Sequence, residues 1–410
     1  MTKDVGLAAL VVNYNSGAFA VSCVGSLLAE WDREGRPRER LQVVVVDNAS
    51  PTDQTGALER LDGLGTRVVR TAENLGYARG MNLAYRATSG APGDVVAVLN
   101  PDLFFLPGSL DTMIEYLLAH PECGAIDPRA SVDPRGIIRL PRNLLPTPLD
   151  HFRCVLAHLN PACCRAYSRR RLRVVLPYWQ VTGPVESDML SGCCVLMRRE
   201  VVEGLGRPMD DRYPLYYEDT DLFRTLTGRG LRLVHHGGAR ILHHWSRSAG
   251  VGGQFMGEPL RRYRLSQRAY FEKFYGRGGR LLVDAMNRVE SWWPEAKSYR
   301  PMHAMEDLGV HAEPVTIPLR RRTSYVLELS MAPTFIVAGG IFGGGDRFTY
   351  PADTWAWLFQ GEYFMRGFDL DTGEFLGAWR FVKPTPGRES PFTVEELAAY
   401  ENLHSGEPAE

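Results

Sequence analysis

Over the first 130 residues, short unbroken apolar runs alternate with helix-like stretches. Leu7–Val12 is one such run, and it stops at Asn13-Tyr14-Asn15-Ser16-Gly17. A helical stretch over about Ala18–Glu34 follows. Leu41–Val46 is a second run, ending at Asp47-Asn48, and Thr66–Arg70 is a third, shorter one. Asp94–Leu99 is a fourth, ending at Asn100-Pro101-Asp102. Continuous rather than alternating apolar runs suit strands covered on both faces. Strand–helix alternation predicts a mostly parallel, doubly wound sheet, hence an α/β fold. In such sheets ligands sit beyond the carboxyl ends of the strands. The polar clusters Asn13–Asn15, Asp47–Asp53 and Asn100–Asp102 all fall at those ends.

From about residue 133 the pattern loosens. Between Asp150 and Glu186 there is no acidic residue, but Arg153, Arg165, Arg169, Arg170, Arg171 and Arg173 are present. Strand-like segments return at Ser191–Met197, Leu231–Val234 and Ala239–Leu242. Leu260–Tyr275 reads as a basic, aromatic helix ended by Gly276. Residues 281–312 read as a connector. Beyond it, Thr316–Leu319, Ser324–Ser330, Thr334–Val337, Trp355–Phe359 and Glu374–Val382 read as strands, with a hairpin turn at Asp371-Thr372-Gly373. The expected division is therefore 1–280, a connector 281–312, a small β-rich domain 313–386 and a tail 387–410 with one short helix over Thr393–Asn402.

Composition adds limits. The 410 residues carry 47 Lys+Arg against 48 Asp+Glu, so nothing in the total drives the chain toward nucleic acid. At 44% hydrophobic and 23% charged, a largely disordered chain is excluded. No apolar run approaches the roughly 18–20 residues needed to span a bilayer. The N-terminus lacks a signal-peptide pattern, and seven Cys without zinc-type spacing read as reduced thiols. These features lead to an expected cytoplasmic location.

Four clusters could carry chemistry. Asp47–Asp53 could bond a nucleobase or ribose, or simply form an Asx-turn and helix cap. Asn74-Leu75-Gly76-Tyr77-Ala78-Arg79-Gly80-Met81-Asn82 permits close backbone approach at its glycines, and Arg79 could meet a phosphate. Asp102 could hold a hard divalent cation if a second ligand arrives from elsewhere, and His243 or His244 could be that ligand. Glu218-Asp219-Thr220-Asp221 crowds three acids into four residues, which can raise one carboxyl toward general-base work. The same acids would also suit the first turn of a helix.

Taken in order, Val11–Asn15, Val46–Ser50, Asn74–Ala78, Asn100–Asp102, Glu218–Asp221 and His243–Ser248 resemble family-2 inverting glycosyltransferases of the GT-A fold, rhamnosyltransferase-like members above all. The resemblance covers about residues 1–280. It implies a Rossmann-like nucleotide-sugar-binding domain, with the β-rich C-terminal domain outside it. By resemblance, Asn13, Asn15, Asp47 and Asn48 would line the nucleotide pocket. Asn74, Gly76, Arg79, Asn82 and Asn100 would meet the nucleotide or its diphosphate. Asn100-Pro101-Asp102 stands where the family has Asp-x-Asp, so Asp102 and His243 would hold Mg2+ or Mn2+. Asp219 would be the catalytic base, with Glu218 the alternative, and Ser191 and Gly192 would border the acceptor. The implied partners are a nucleoside-diphosphate sugar and a glycan or lipid-linked acceptor. dTDP-rhamnose is the donor the subfamily suggests, and UDP- or GDP-sugars are alternatives.

The arginine-rich stretch 153–173 and the helix Leu260–Tyr275 are candidates for contact with an anionic membrane surface, placing the chain at its inner face, or else are solvated faces over a packed interior. Two rival readings are a nucleotidylyltransferase, which would want a Gly-rich, basic first turn that Asn13–Gly17 lacks, and a carbohydrate-binding module using the C-terminal aromatics.

Overall fold

The computed structural model describes residues 4–244, 257–292 and 303–404. The chain forms two compact units, each assembled from separated segments. The first comprises residues 1–129, 181–267 and 390–410, and the second 130–180 and 268–389. The sequence pattern, by comparison, divides the chain in a single pass.

The first unit is built on one sheet. Its strands are β1 (Leu7–Asn13), β2 (Leu41–Asp47), β3 (Arg67–Arg70), β4 (Val95–Leu99), β5 (Leu103–Phe105), β6 (Cys123–Ser131), β7 (Pro184–Glu186), β8 (Cys194–Arg198) and β9 (Arg232–His243). Their order is β3-β2-β1-β4-β8-β6-β9-β5, with β7 beside β9. β1 and β4 are buried at every position, as their unbroken apolar runs require. β1, β2, β3 and β4 pair in parallel. The α/β class expected from the pattern is therefore present, with an antiparallel half added: β8 runs against β4 and β6, and β9 against β5 and β7.

Two registers place the chemistry. Asn13 lies opposite Asp47, so the residues that end β1 and β2 stand side by side. Leu103 lies opposite His243, which brings the end of β9 beside Asp102. The two short strands expected at Leu231–Val234 and Ala239–Leu242 are one continuous strand, β9. Gly237-Gly238 looks like a break in the sequence, but it serves close packing. A side chain at 237 would begin 1.9 Å from the Val181 carbonyl oxygen.

The second unit carries a sheet of β10 (Glu306–Val310), β11 (Thr316–Ser330), β12 (Gly339–Thr349), β13 (Gly361–Asp369) and β14 (Phe375–Lys383), in the order β10-β14-β13-β11-β12. The loosened stretch after residue 133 contains two helices, Pro148–Leu159 and Pro161–Gln180. Leu172, Val175 and Trp179 of the latter pack on Val326 and Phe368 of the sheet. The glycines at the start of β12 make room for that helix, since a side chain at Gly340 would meet the Trp179 ring at 2.6 Å. Arg366 is fully buried, bonded to Glu328 at 2.6 Å and to Ser168 at 2.9 Å, with its guanidinium over Phe335 and Phe368.

Several expectations need correction here. Thr334–Val337 is not a strand but a turn region before β12. Trp355–Phe359 is not a strand either. Helix Ala352–Trp357 occupies most of it, burying Trp355 and Trp357, because a short apolar aromatic run does not separate helix from strand. Leu260–Tyr275 does form a helical stretch that stops at Gly276, whose backbone, at φ 67° and ψ −171°, is not helical; a second helical stretch follows it within Glu258–Ser291. Asp371-Thr372-Gly373 does form the turn between β13 and β14. The tail helix is Val394–His404, opened by a capping box. The Thr393 N–H donates to Glu396 Oε2 at 2.9 Å, and the Glu396 N–H donates to Thr393 Oγ1 at 3.2 Å.

Candidate active site

The ends of β1, β2 and β4 meet in a polar floor. Asn13 is fully buried, and its Nδ2 donates to Asp47 Oδ1 at 2.7 Å while its Oδ1 accepts from the Ser16 N–H and hydroxyl. Ser50 donates to the same Asp47 oxygen at 2.7 Å. Asn15 sits at φ 57°, where its Oδ1 accepts from Thr52 N and Oγ1. Asn48 spans to the next segment: its Nδ2 donates to Asn74 Oδ1 at 3.1 Å and its Oδ1 accepts the Leu75 N–H at 2.8 Å. Gly76, at φ 81°, starts helix Tyr77–Arg86 in a backbone conformation that side chains resist. Asn13, Asn15, Asp47, Asn48, Asn74 and Gly76 therefore form one hydrogen-bonded rim, with Asn13 tying its two strands together.

Asp102 and His243 face each other, with Oδ1 3.2 Å from Nε2. Burial alone would raise the Asp102 carboxyl, but the His243 charge outweighs it and holds the group below its ordinary value. Burial alone would depress His243, but Asp102, aided by Cys193, keeps it well above its ordinary value. The adjacent His244 serves differently. Its backbone N–H donates to the Asp102 carbonyl at 2.9 Å, and its imidazole turns to Phe19 and to the Phe392 N–H. Of the two histidines, His243 is the one whose ring meets the Asp102 carboxylate.

The acids of 218–221 open helix Glu218–Gly228 after two consecutive residues in the left-handed region, Tyr216 at φ 62° and Tyr217 at φ 69°. Such a conformation costs a non-glycine residue about 1–2 kcal/mol, and strain of this kind collects at functional sites. It aims the helix start at β8. Asp219 Oδ1 accepts the Thr220 N–H at 2.6 Å, and Asp219 Oδ2 lies so close to Gly192 that a side chain there would start 2.3 Å from it. Glu218 is buried, and among the described residues its Oε2 has no hydrogen-bond partner. Burial, and then the Asp219 charge, push the Glu218 carboxyl up to about 8. Burial also raises Asp219, against the pull of the Thr220 hydrogen bonds.

Tyr77 joins the two halves. Its hydroxyl donates to Asn100 Oδ1 at 3.0 Å. Burial, then the negative charges of Glu218, Asp219, Cys193 and Asp102, lift its phenol well above the ordinary value. One hydroxyl is thus within electrostatic reach of both the acid pair and the Asp102–His243 end. Tyr77 lies inside a quoted motif, but an aromatic at a helix start carries no sequence signal separating a site residue from a core one.

The remaining expected residues fall as follows. Arg79 is exposed and carries no ion pair among the described residues. Asn82 is turned away from the rim: it is buried, with both amide groups bonded to the Met209 backbone at 2.8 and 3.1 Å, bracing the loop before Tyr216. Ser191 donates its N–H to Asp127 Oδ2 at 2.7 Å, and Asp127 Oδ1 holds His235 Nδ1 at 2.7 Å. Neither Asp127 nor His235 was singled out by the sequence as a support. Trp245–Ser248, the end of the last motif, lies outside the described residues.

Asp102 and His243 offer one hard oxygen, which suits Mg2+ or Mn2+, and one imidazole nitrogen, which a transition metal such as Mn2+ accepts more readily than Mg2+. Ligation by His243 requires that it give up the proton it shares with Asp102. Among the described residues, no group of three His, Cys, Asp or Glu side chains is arranged to hold a metal, so these two fit only a site completed by other ligands.

Residues 9–176 match the family described as Glycosyl transferase family 2. An N-acetylglucosaminyl-diphospho-decaprenol L-rhamnosyltransferase of Mycobacterium tuberculosis is 30% identical over 257 residues, covering 60% of this chain and 78% of that protein. The O-antigen biosynthesis protein RfbC of Myxococcus xanthus is 27% identical over 180 residues, covering 40% of this chain and 12% of that protein. Among solved structures, a mannosyltransferase of Pyrobaculum calidifontis in complex with GDP-mannose and Mn2+ aligns with a TM-score of 0.43 and 17% identity, covering 71% of this chain and 77% of that one.

Proposed function

The chain belongs to glycosyl transferase family 2, and on that premise we propose that it is an inverting transferase working from a nucleoside-diphosphate sugar. The observation that carries this reading is that Asn100, two residues before Asp102, bonds the Tyr77 hydroxyl at 3.0 Å and donates its N–H to the Cys193 carbonyl at 2.8 Å, next to the Gly192 against which Asp219 lies. A donor needs its diphosphate at Asp102 and the acceptor hydroxyl at Asp219.

Asp219 is the base. Asp219 Oδ1 is held by the Thr220 N–H and hydroxyl, which leaves Oδ2, beside Gly192, to receive a proton. It takes the proton of the acceptor hydroxyl. The acceptor oxygen then bonds the anomeric carbon as the bond from that carbon to the diphosphate oxygen breaks. Because attack comes from the face opposite the leaving group, configuration inverts. Asp102 and His243 would hold a divalent cation, which when bound neutralises charge on the departing diphosphate. Gly192 leaves the space that Asp219 needs, and the rim of Asn13, Asn15, Asp47, Asn48, Asn74 and Gly76 orients the nucleotide. Asn100, fixed by Tyr77, borders the diphosphate, exposed Arg79 is free to meet it, and Ser191 lies on the acceptor side.

The donor proposed is dTDP-rhamnose and the acceptor a diphospho-polyprenol carrying N-acetylglucosamine, on the strength of the mycobacterial relative. Peripheral contact with an anionic membrane follows from such an acceptor. In the second unit, Leu281 (61% exposed), on helix Glu258–Ser291, and Trp292 (75%), directly after it, each follow by four residues an exposed arginine, Arg277 and Arg288, that has no ion pair among the described residues.

The test is turnover of the purified chain with dTDP-rhamnose, Mn2+ and a polyprenyl-diphospho-N-acetylglucosamine. Asp219→Asn is expected to lower turnover by about 10²–10⁴-fold, the usual worth of a positioned base, while the donor still raises the thermal midpoint. Near-normal turnover in that variant removes Asp219 from the mechanism. Nucleoside diphosphate released only with acceptor marks transfer, whereas pyrophosphate release would mark a nucleotidylyltransferase.

A further inference from the structure

The tail is not loose where it follows Glu389. Phe392 is buried, and it meets Phe104, Ser22 and His244, all of the first unit. Its ring stands edge-on to Phe104, centroids 5.0 Å apart. Its carbonyl accepts the Ser22 hydroxyl at 2.5 Å. Its N–H donates to His244 Nε2 at 3.4 Å, which requires that nitrogen to be unprotonated. Phe104 and His244 are significant neighbours. Phe104 belongs to β5, which starts directly after Asp102, and His244 directly follows His243. Those two chain ends are themselves joined by the Leu103–His243 register and by the His244 N–H to the Asp102 carbonyl. Phe392 therefore touches both strands that present the Asp102–His243 pair. Leu397, also buried, and the capping box at Thr393 and Glu396 secure the helix behind it.

We propose that the segment carrying Phe392 is a positioning element for the Asp102–His243 pair, clamping β5 to β9 so that carboxylate and imidazole keep the separation at which they share one divalent cation. The physical basis is that a ligand pair holds a metal only as well as the groups behind it hold the ligands. β5 is three residues long and β9 ends at His243, so the ladder alone restrains little beyond that point. The Phe392 ring and N–H supply the missing restraint on both sides. This proposal rests on the reading that Asp102 and His243 are the metal ligands.

The experiment follows Mn2+ binding by electron paramagnetic resonance, first with the metal alone and then with dTDP present, on the full chain and on Phe392→Ala, Phe392→Leu and His243→Ala. Circular dichroism and thermal unfolding accompany each variant. Phe392→Ala is expected to weaken Mn2+ binding about tenfold and to raise the Mn2+ concentration for half-maximal transfer, with kcat at saturating Mn2+ changed much less. Phe392→Leu, which keeps an apolar side chain and the same N–H, is expected to recover most of the affinity. Ser22→Ala, removing only the carbonyl anchor, is a mild second variant should Phe392→Ala not fold. It is expected to shift Mn2+ affinity in the same direction by about twofold. Unchanged Mn2+ affinity in a folded Phe392→Ala, or in Ser22→Ala if that is the only folded variant, overturns the proposal. If His243→Ala binds Mn2+ normally, the underlying ligand assignment fails instead, which distinguishes the two.

Discussion

At the scale of single residues, the site holds two acids in unlike circumstances. Asp219 is stabilised by the Thr220 N–H, whereas the Glu218 Oε2 is buried without a partner among the described residues. The folded-state value of Glu218, about 8, lies above its ordinary 4.5, so the folded chain holds that proton more tightly than the unfolded chain does. The resulting stability is fully present below the ordinary value and is lost as pH rises through the folded one. Glu218→Gln, neutral at every pH, is therefore expected to melt higher than the parent chain at pH 9, with the advantage shrinking by pH 5. Calorimetry at the two values checks this, and an equal difference at both would show that Glu218 carries no such burden. The acids, Asp102 and His243 stood out in the sequence because their chemistry is visible in the residue type, and the fold adds that Asp102 meets His243 and Asp219 meets Gly192. Tyr77, Asp127 and Phe392 did not stand out. Their importance comes from position, and position is set by pairings such as β5 with β9 that local pattern does not encode. Asn82 misled for the complementary reason: an amide in a glycine-containing motif looks like a ligand group until both its hydrogen bonds are seen to end on Met209.

Among elements, the strands with unbroken Val and Leu were readable, since burial on both faces leaves that mark. Segments in the second unit were harder to read. Trp355 and its neighbours gave a strand-like run that closes as a helix, and β13, with Arg366 at its centre, gave no clean strand run because a buried ion pair replaces an apolar position. That pair yields a prediction of its own. Removing Arg366 leaves the Glu328 charge buried alone, so Arg366→Met is expected to cost about 3–5 kcal/mol in urea unfolding. Arg366→Met with Glu328→Met should recover most of that loss, because the desolvated charge then goes too. Equal instability of the single and double variants would argue that packing, not charge, sets the effect.

For the molecule as a whole, the near-neutral total of 47 basic and 48 acidic side chains conceals an uneven distribution. Helix Pro161–Gln180 exposes Arg165, Arg169, Arg170 and Arg173 while its Tyr167, Leu172 and Trp179 face the interior. Most of the apolar face of the arginine-rich stretch is thus already used in packing, although Leu149, Phe152 and Val174 stay exposed, and larger exposed fractions are found at Leu281 and Trp292. No described helix is long and apolar enough to cross a membrane. Flotation with phosphatidylglycerol vesicles is expected to retain the chain at low salt, to lose it at high salt as screening grows, and to lose it with Leu281→Ser/Trp292→Ser. Failure to float at low salt would remove the lipid surface from the reading.

The Phe392 N–H meets a histidine 148 positions earlier in the chain. Ribosomes make proteins from the amino end, so every residue of the second unit after 267 is synthesised before this contact can form. A nascent chain that has just exposed His244 holds the whole parallel half of its sheet and both proposed ligand residues, yet lacks the side chain proposed to brace them. On the proposed ligand assignment, metal capture would then come late, after the arginine-bearing unit has emerged. A fragment cut at residue 280, where sequence similarity alone would end the transferase, would remain permanently in that early condition.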